Sequence, residues 1–380
     1  MNKIQMVDLQ AQYLRFKDEI DTAIHSVIDS AAFINGPSVR RFNEALSVYL
    51  GGAWVHSCAN GTDALQLALM ALDLKPGDEI IMPTFTYFAT VEVALLLGLR
   101  PVFVDVLETT FNINPELIAA AINPRTKAIL PVHLFGQPAD MQAILSIARQ
   151  HGLYVVEDNA QAMGAHIRTE DGARLMTGTV GHIGCTSFFP SKNLGCYGDG
   201  GAVIAKDEQL YARLKALANH GQKTKYVHDM VGINSRLDTI QAAVLNAKLP
   251  HLDGFNSARR ALAEVYDEGF AQNANITTPV QADNVYHVFH QYTIKLASHL
   301  DRDMLQKALA ARDIPTMVYY PIPCHQQQAY LQCYPEGAGQ SFPVAERLAP
   351  SVLSLPMHPE MSAEQAAYII HHVNELTRAS

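Results

Sequence analysis

The chain has few of the features that mark membrane, secreted or disulfide-bonded proteins. Its 380 residues contain no uninterrupted apolar run of the ~18 residues that a membrane span requires, and the first eight residues lack the apolar core of a signal peptide. The five cysteines form no C-x-x-C pair, and an odd count in a long chain does not indicate a disulfide framework. We therefore expect a cytoplasmic protein with reduced thiols and no membrane partner.

The chain also lacks an excess of positive charge. Its 28 Lys and Arg residues are outnumbered by 37 Asp and Glu residues, which gives a formal net charge of -9. Because general affinity for nucleic acid comes largely from clustered basic residues that neutralise phosphates, this balance argues against a nucleic-acid partner. A small anionic ligand is not excluded, since a few basic side chains or backbone N–H groups are enough to hold one.

Short apolar runs alternate with helix-like segments through the first two-thirds of the chain. Several runs are apolar on both faces, which is typical of a mostly parallel sheet covered by helices on both sides. This pattern predicts an α/β core. The predicted strands are Glu79–Met82, Pro101–Asp105, Ala128–Val132, Leu153–Asp158 and Gly201–Ala205. The predicted helices are Thr62–Leu72, Thr86–Leu97, Pro115–Ala121 and Ala139–His151.

The pattern changes after about residue 250 to longer helical stretches. These are Phe255–Phe270, Asp301–Arg312 and Ala363–Leu376, with short strand-like pieces around Tyr292 and Val318. We therefore predict two domains, a large α/β domain of residues 1–250 and a smaller α+β domain of residues 251–380.

Lys192 stands between an apolar strand-like run and a glycine-rich bend, with hydroxyl groups on either side and no acidic residue for several positions. A free lysine has a pKa of roughly 10.4, but burial disfavours the ammonium form. A desolvated lysine can then attack a carbonyl and form a Schiff base. The alternative is a surface lysine in a turn, which is the commoner setting for this residue type.

Two further segments hold groups that could complete such a site. Gly61 and Thr62 open a predicted helix, where free N–H groups and the helix dipole favour an anion such as phosphate; the alternative is an ordinary N-cap. Asp158 ends an apolar strand. At ~3 Å and an effective dielectric of ~20, its attraction for a protonated ring nitrogen is roughly 5 kcal/mol before desolvation. A solvated strand-end carboxylate is the alternative there. Tyr87 could stack on the same ring, or belong to the core.

In this order and spacing, these groups resemble the site of the DegT/StrS-type nucleotide-sugar aminotransferases, a branch of the fold type I (aspartate aminotransferase-like) pyridoxal phosphate enzymes. The resemblance extends nearly from end to end and implies an α/β fold with a mostly parallel central sheet and pyridoxal phosphate as cofactor. It rests on 59–65, 84–87, 157–161, 187–201, 232–238, 320–323 and 354–359.

The resemblance assigns roles to individual residues. It implies that Lys192 is the Schiff-base lysine and later moves a proton, that Asp158 pairs with the ring nitrogen, and that Gln161 bonds the ring hydroxyl. Tyr87 would stack on the ring. Gly61, Thr62 and Ser187 would bind the phosphate, Asn234 would reach the cofactor phosphate of the other subunit in a homodimer, and Arg236, Tyr320, His220 and His325 would line the sugar-nucleotide pocket.

Three positions depart from the family's usual residues, namely Asn159, Met163 and Tyr319. Cofactor binding should survive these changes, whereas the sugar contacts near Tyr319 are put in doubt. No metal site is predicted, because no spacing resembles a zinc motif; the pair His371-His372 is typical of a helix surface.

Within the family, the sequence is most similar to enzymes that aminate C3 of UDP-2-acetamido-2-deoxy-3-oxo-glucuronate with L-glutamate as donor and 2-oxoglutarate as product. This implies a place in the biosynthesis of cell-surface polysaccharide such as O-antigen. One alternative is a dTDP-3-keto-6-deoxyhexose 3-aminotransferase. Another, of a different class, is a regulator that binds pyridoxal phosphate without turnover.

Overall fold

A computed structural model describes residues 3–169 and 172–378 of the chain. The strands are β1 (Trp54–Cys58), β2 (Glu79–Pro83), β3 (Arg100–Val104), β4 (Thr126–Ile129), β5 (Tyr154–Asp158), β6 (His166–Arg168), β7 (Arg174–Met176), β8 (Ile183–Ser187), β9 (Gly201–Ala205), β10 (Gln222–Thr224), β11 (Val227–His228), β12 (Ile276–Thr277), β13 (Val285–Tyr286), β14 (Tyr292–Leu296) and β15 (Val352–Leu355). The helices are α1 (Leu9–Arg15), α2 (Lys17–Ser30), α3 (Pro37–Tyr49), α4 (Gly61–Ala71), α5 (Ala89–Leu96), α6 (Ile118–Ala121), α7 (Met141–His151), α8 (Glu208–Leu217), α9 (Thr239–Lys248), α10 (Leu252–Phe270), α11 (Arg302–Ala310), α12 (Gln328–Cys333), α13 (Pro343–Ser351) and α14 (Ala363–Arg378).

The central sheet has the strand order β1-β9-β8-β5-β4-β2-β3. Neighbours from β8 to β3 pair in parallel, whereas β9 is antiparallel to both β8 and β1. The prediction of an α/β fold with a mostly parallel sheet is confirmed. The predicted strands correspond to β2, β3, β4, β5 and β9. The sequence analysis identified β8 only as the strand-like run before Lys192, and it did not identify β1, because polar residues of that strand interrupt the apolar pattern.

Helices cover both faces of this sheet. Ile80 packs with the α4 residues Leu67 and Ala68, whereas its neighbour Ile81 belongs to a cluster with Ile118 of α6 and Ile144 of α7. Successive side chains of a strand point to opposite faces, so β2 is apolar throughout because both faces are buried.

The helix ends follow local capping. The side chain of Asn60 accepts from the Asp63 amide at the start of α4, and that of Asp140 accepts from the Ala143 amide at the start of α7. α7 ends at Gly152, whose φ of 64° is a left-handed conformation that glycine adopts readily. The carboxyl edge of the sheet thus feeds directly into capped helices, which fixes the loops between them.

The C-terminal part has a second, antiparallel sheet of β12, β14 and β15, packed against α10, α11 and α14. Tyr266, Ile294 and Ile369 lie in its core. The predicted strand around Val318 is wrong, since Met317 forms only an isolated bridge with Ser354. The division at residue 250 stays a prediction, because α10 continues from the core of the first part into that of the second.

None of the helices in residues 3–169 and 172–378 is both long and apolar enough to cross a membrane.

Candidate active site

The carboxyl ends of β1, β2, β5 and β8 meet at one edge of the central sheet, since these strands run in the same direction. Asp158 ends β5, Ser187 ends β8, Gly61 follows β1 and Tyr87 follows β2. The loop 188–200 returns from β8 to the antiparallel β9 at this edge and carries Lys192. Ligands of open α/β sheets bind at such edges, and the fold brings these predicted residues to one.

Gly61 and Ser187 form a narrow cradle. A Cβ atom on Gly61 would lie 2.7 Å from the Ser187 Cβ, so no larger residue fits without a shift. Asn60 is indeed an N-cap, accepting from the Asp63 amide at 2.8 Å. The amides of Gly61 and Thr62 have no acceptor among the described residues. Two free donors at a helix start beside a serine hydroxyl suit a phosphate group.

Lys192 is partly buried, and its backbone N–H donates to the Phe189 carbonyl at 2.8 Å. Burial lowers the pKa of its amine to about 8, and the charge of Asp158 opposes this shift. No hydrogen-bond acceptor for Nζ is found in the described part of the chain. Lys192 is therefore unlike a solvated surface lysine, because far more of its amine is neutral near neutral pH, and so able to react, than in an ordinary lysine.

Asp158 is 6% exposed and accepts two hydrogen bonds. Thr90 Oγ1 donates to its Oδ2 at 2.8 Å, and the Ala160 amide donates to its Oδ1 at 3.1 Å. Burial raises the pKa of Asp158, while these donors and the nearby Lys192 and His133 lower it. Sequence reasoning missed Thr90, because α5, which carries it, and β5 are separated along the chain and no motif links the two residues.

Gln161 is held between two groups. Its Oε1 accepts from the Phe135 amide at 2.7 Å, and its Nε2 donates to the Tyr320 hydroxyl at 3.0 Å. The Tyr320 ring lies 6.2 Å from that of Tyr87, which is 61% exposed and therefore not a core residue. Burial raises the pKa of Tyr320, so its hydroxyl stays protonated. Gln161, Tyr320 and Tyr87 thus form one wall of the site.

Glu157 precedes Asp158 on β5, and its hydrogen bonds hold the end of this strand in place. Its carboxylate is fully buried and accepts from the amides of Gly178, Val180 and Gly181 at 2.9, 2.8 and 2.6 Å. His133 Nε2 lies 2.9 Å from Oε2, the oxygen that also accepts from the Gly178 amide. Sequence reasoning gave Glu157 no role, although a second acid directly before Asp158 on an apolar strand was a signal. It joins β5 to the loop that precedes β8.

His325 lies in the packing below the site. It is 2% exposed, with Nδ1 2.7 Å from Thr84 Oγ1 and Nε2 3.3 Å from Glu346 Oε1. Both ring nitrogens of His325 thus face protein groups. A contact of His325 with substrate stays a prediction.

The segment of Asn234 and Arg236 touches the cradle through the residue between them. Ser235 Oγ accepts from the Ala59 amide at 3.1 Å, a contact that sequence reasoning missed. Asn234 is exposed and forms an isolated bridge with Asn219, next to the exposed His220, while Arg236 is partly exposed. In the described part of one chain, Asn234, His220 and Arg236 make no hydrogen bond with Lys192.

The residues that depart from the family pattern have defined surroundings. Asn159 is fully buried, and neither side-chain polar atom has a partner within the described ranges. Met163 packs in a core cluster with Phe188 and Leu194. The Tyr319 ring lies 5.7 Å from that of Tyr320. Tyr319 adjoins Tyr320 of the site wall, and Asn159 directly follows Asp158. That cofactor binding survives these departures stays a prediction.

His371, His372 and Glu375 lie together on α14, with possible ligand atoms within 4.8 Å of one another. Glu375 Oε2 is 3.0 Å from His372 Nδ1 and 3.6 Å from Arg312 Nη2. The carboxylate is thus already paired, and we interpret this group as a surface ion-pair cluster.

The chain matches the DegT/DnrJ/EryC1/StrS aminotransferase family over residues 15–374, and it belongs to this family. It is 48% identical over 366 residues to UDP-N-acetyl-3-dehydro-α-D-glucosamine 3-aminotransferase of Acidithiobacillus ferrooxidans, covering 96% of each chain. It is 45% identical over 356 residues to UDP-2-acetamido-2-deoxy-3-oxo-D-glucuronate aminotransferase of Pseudomonas aeruginosa, covering 94% of this chain and 95% of that one.

A solved structure has the same fold. The X-ray structure of S. venezuelae DesV in complex with a ketimine intermediate superposes with a TM-score of 0.93 at 42% identity, covering 99% of each chain. The chain is therefore a pyridoxal phosphate-dependent aminotransferase of nucleotide sugars. Its residues fit that cofactor, since a cradle that a Cβ would fill suits the phosphate and a buried carboxylate suits the ring nitrogen.

Proposed function

We propose that the enzyme transfers the amino group of L-glutamate to C3 of a UDP-linked 2-acetamido-2-deoxy-3-oxo sugar, with the glucuronate as the preferred sugar, in cell-surface polysaccharide biosynthesis. The observation that carries the amination itself is the amine of Lys192, which has no hydrogen-bond acceptor among the described residues and lies at the strand edge that also holds Asp158 and the Gly61–Ser187 cradle. Support for a UDP-linked 3-oxo sugar comes from the names of the two relatives. Free thiols at all five cysteines accord with the cytoplasm as its place.

The protein's part is to bind, orient and move a proton. When bound, pyridoxal phosphate supplies an electron sink beside the carbon that loses its proton. The amides of Gly61 and Thr62, with the Ser187 hydroxyl, hold the phosphate. The Asp158 carboxylate holds a proton on the ring nitrogen, and Thr90 and Ala160 keep that carboxylate ionised by donating to it.

Lys192 would form the covalent bond to the cofactor and transfer the proton of the donor's α-carbon. With a pKa of about 8, roughly one amine in ten is neutral at one pH unit below that value, compared with far fewer for an ordinary lysine. With the cofactor bound, the neutral Nζ would be the group that bonds to it covalently, and the free amine would take a proton from the donor's α-carbon as a general base. Gln161 and Tyr87 orient the ring for this transfer, held in place by Phe135 and Tyr320.

The acceptor is tested with a panel of 3-amino nucleotide sugars run backwards with 2-oxoglutarate, measuring the glutamate that forms. We expect the UDP-2-acetamido-3-amino-glucuronate to give the highest kcat/KM, with Lys192→Ala as the inactive control. If the glucose form is preferred to the glucuronate, the proposed preference for a carboxylate at C6 of the sugar is refuted, whereas amination at C3 is not. Activity with dTDP-linked sugars alone would favour the dTDP alternative. Cofactor binding without amino exchange on any sugar would favour the regulator.

We further propose a homodimer in which Asn234 completes the partner's site. Asn234 is exposed while the adjacent Ser235 contacts the cradle, and Tyr87, Phe189 and Val231 are exposed apolar side chains at 61, 52 and 87%. In the proposed dimer, the partner subunit would cover these side chains.

Mixing Lys192→Ala and Asn234→Ala subunits tests the shared site. In a symmetric dimer, half of the randomly paired molecules are hybrids, and each hybrid has one site with both native residues. We expect about one quarter of native activity from an equal mixture of two impaired proteins. If Asn234 acts within its own chain, mixing restores nothing; sedimentation of the mixture as monomers would refute the dimer itself.

A further inference from the structure

Asn193, which follows Lys192, is buried and uses its amide fully. It is 4% exposed, and its Nδ2 donates to Asn256 Oδ1 at 2.7 Å and to the Val288 carbonyl at 3.0 Å. Its Oδ1 lies 3.2 Å from His290 Nδ1. A buried amide with every group paired has one orientation, because any rotation would leave buried polar atoms without partners.

These contacts form a chain of hydrogen bonds with one direction. Since Asn193 Oδ1 is an acceptor, His290 Nδ1 carries the proton, and His290 Nε2 is left to accept from Gln291 Nε2 at 3.5 Å. Asn256 Nδ2 in turn donates to the Met163 carbonyl at 3.2 Å. Burial, with the charge of Lys192, lowers the pKa of His290, so the ring carries one proton as this chain requires.

The Met163 side chain takes no part in this network, because only its backbone carbonyl accepts. The departure from the family's usual residue at this position therefore leaves the hydrogen bonds around Asn193 unchanged.

The segment 288–291 also touches the opposite side of the site. Val288 N donates to the Gly136 carbonyl at 3.0 Å, and Gln291 N lies 3.4 Å from the Phe135 carbonyl. A Cβ on Gly136 would lie 2.9 Å from Val288 Cγ2, so the two segments are in close contact. Phe135 N is the donor that holds Gln161. Directly after this segment, β14 begins the C-terminal sheet.

We propose that Asn193 and His290 are positioning residues that hold the Lys192 amine in register with the cofactor's carbonyl, by fastening the lysine loop to the segment that leads into the C-terminal sheet. The inference rests on the proposed role of Lys192. A lysine has four rotatable side-chain bonds, so the position of its backbone decides where Nζ can reach. An error of about 1 Å in that position can cost about 100-fold in rate.

The test is the rate at which the full chain, stripped of cofactor, takes up pyridoxal phosphate, followed by absorbance. We expect Asn193→Ala to slow uptake by about 10- to 100-fold and to lower kcat, with little change in KM for the nucleotide sugar. Asn273→Ala is the matched control. Asn273 is also 4% exposed, and its Nδ2 also donates twice, to Asn374 Oδ1 and Thr377 Oγ1 at 2.8 Å each, in the C-terminal part. Its uptake rate should equal that of the native chain.

Two His290 variants test the inference independently of Asn193→Ala. They also serve if Asn193→Ala does not fold. His290→Asn keeps a donor near the place of Nδ1 and should retain fast uptake, whereas His290→Leu removes the donor and should slow it. Native uptake rates in both Asn193→Ala and His290→Leu would overturn the inference. A native chain that binds the cofactor on another lysine would instead refute the proposed role of Lys192, which is a separate result.

Discussion

Lys192 lies in the loop 188–200, and Lys248 at the end of α9 contacts Gly195 of the same loop. Burial lowers the pKa of each amine to about 8. Lys248 is 1% exposed, its Nζ donates to the Gly195 carbonyl at 2.5 Å, and it lies 5.3 Å from the centre of the Tyr197 ring. Lys192 has no such acceptor among the described residues and faces Asp158 at the open edge of the sheet. A lowered pKa therefore does not by itself mark a reactive lysine; the absence of a fixed partner beside a ligand cradle does.

Replacing each lysine should produce the largest difference between the two, in activity for Lys192 and in stability for Lys248. Lys192→Ala should lower transamination by at least about 10⁴-fold while leaving the unfolding transition nearly unchanged, because Nζ acts in chemistry and makes no hydrogen bond within the described residues. Lys248→Met should lower the free energy of unfolding by about 1–3 kcal/mol, since the Gly195 carbonyl loses its donor. Denaturant unfolding and steady-state kinetics on both variants test this. Equal loss of activity in the two would contradict the distinction.

Asp158→Asn should change the pKa of Lys192 but not that of Lys248. The charge of Asp158 raises the pKa of Lys192, so its loss should bring that pKa below about 8 while Lys248 is unaffected. A more neutral amine favours attack, but loss of the ring-nitrogen partner removes the electron sink, which is the larger effect. We expect kcat to fall by about 100-fold or more. A near-native kcat would show that ring protonation is not limiting.

Gly61→Ala tests the cradle beside Lys192 without touching either amine. The added Cβ meets Ser187 at 2.7 Å and should weaken pyridoxal phosphate binding by about 10-fold or more, with a small effect on unfolding. Gly254→Ala in α10 is the matched control, because its Cβ would meet nothing within 4 Å. Cofactor titration by fluorescence should show a change only for the first variant. Unchanged affinity in Gly61→Ala would remove this loop from the phosphate site.

Groups that depend on one element's end could be predicted from the sequence. Asp158 and Ser187 each end a strand, so a parallel sheet brings them to one edge whatever its strand order, and Gly61 stands at the start of a predicted helix. Runs of apolar residues in the sequence predicted β2, β3, β4 and β5, because these strands are apolar on both faces. Family resemblance supplied the roles, since an N-cap and a phosphate cradle have the same local sequence, and Asn60 with Gly61 shows both.

Groups that depend on contacts between distant segments could not be predicted in this way. Thr90 bonds Asp158 across 68 positions, and Asn193 bonds Val288 across 95. The burial of His325 likewise follows from Thr84, 241 positions away. None of these pairs has a periodicity or a motif, because only the folded arrangement brings the partners within reach. Lys248 was missed for the same reason.

The smallest expected effect concerns Thr90, whose hydroxyl lowers the pKa of Asp158. Thr90→Val removes that donor and should raise the pKa of Asp158 further, so the carboxylate becomes protonated at a higher pH than in the native chain. The acidic limb of the pH–rate profile should therefore move upward by about one pH unit, with kcat at its optimum changed by only a few-fold. Thr90→Ser keeps the hydroxyl and should leave the limb in place. Lys192 and Lys248 differ here too: Lys192 faces the altered carboxyl and Lys248 does not, so thermal unfolding, to which Lys248 contributes through the Gly195 carbonyl, should stay near that of the native chain. An unshifted acidic limb would mean that Asp158 is kept ionised by groups other than Thr90.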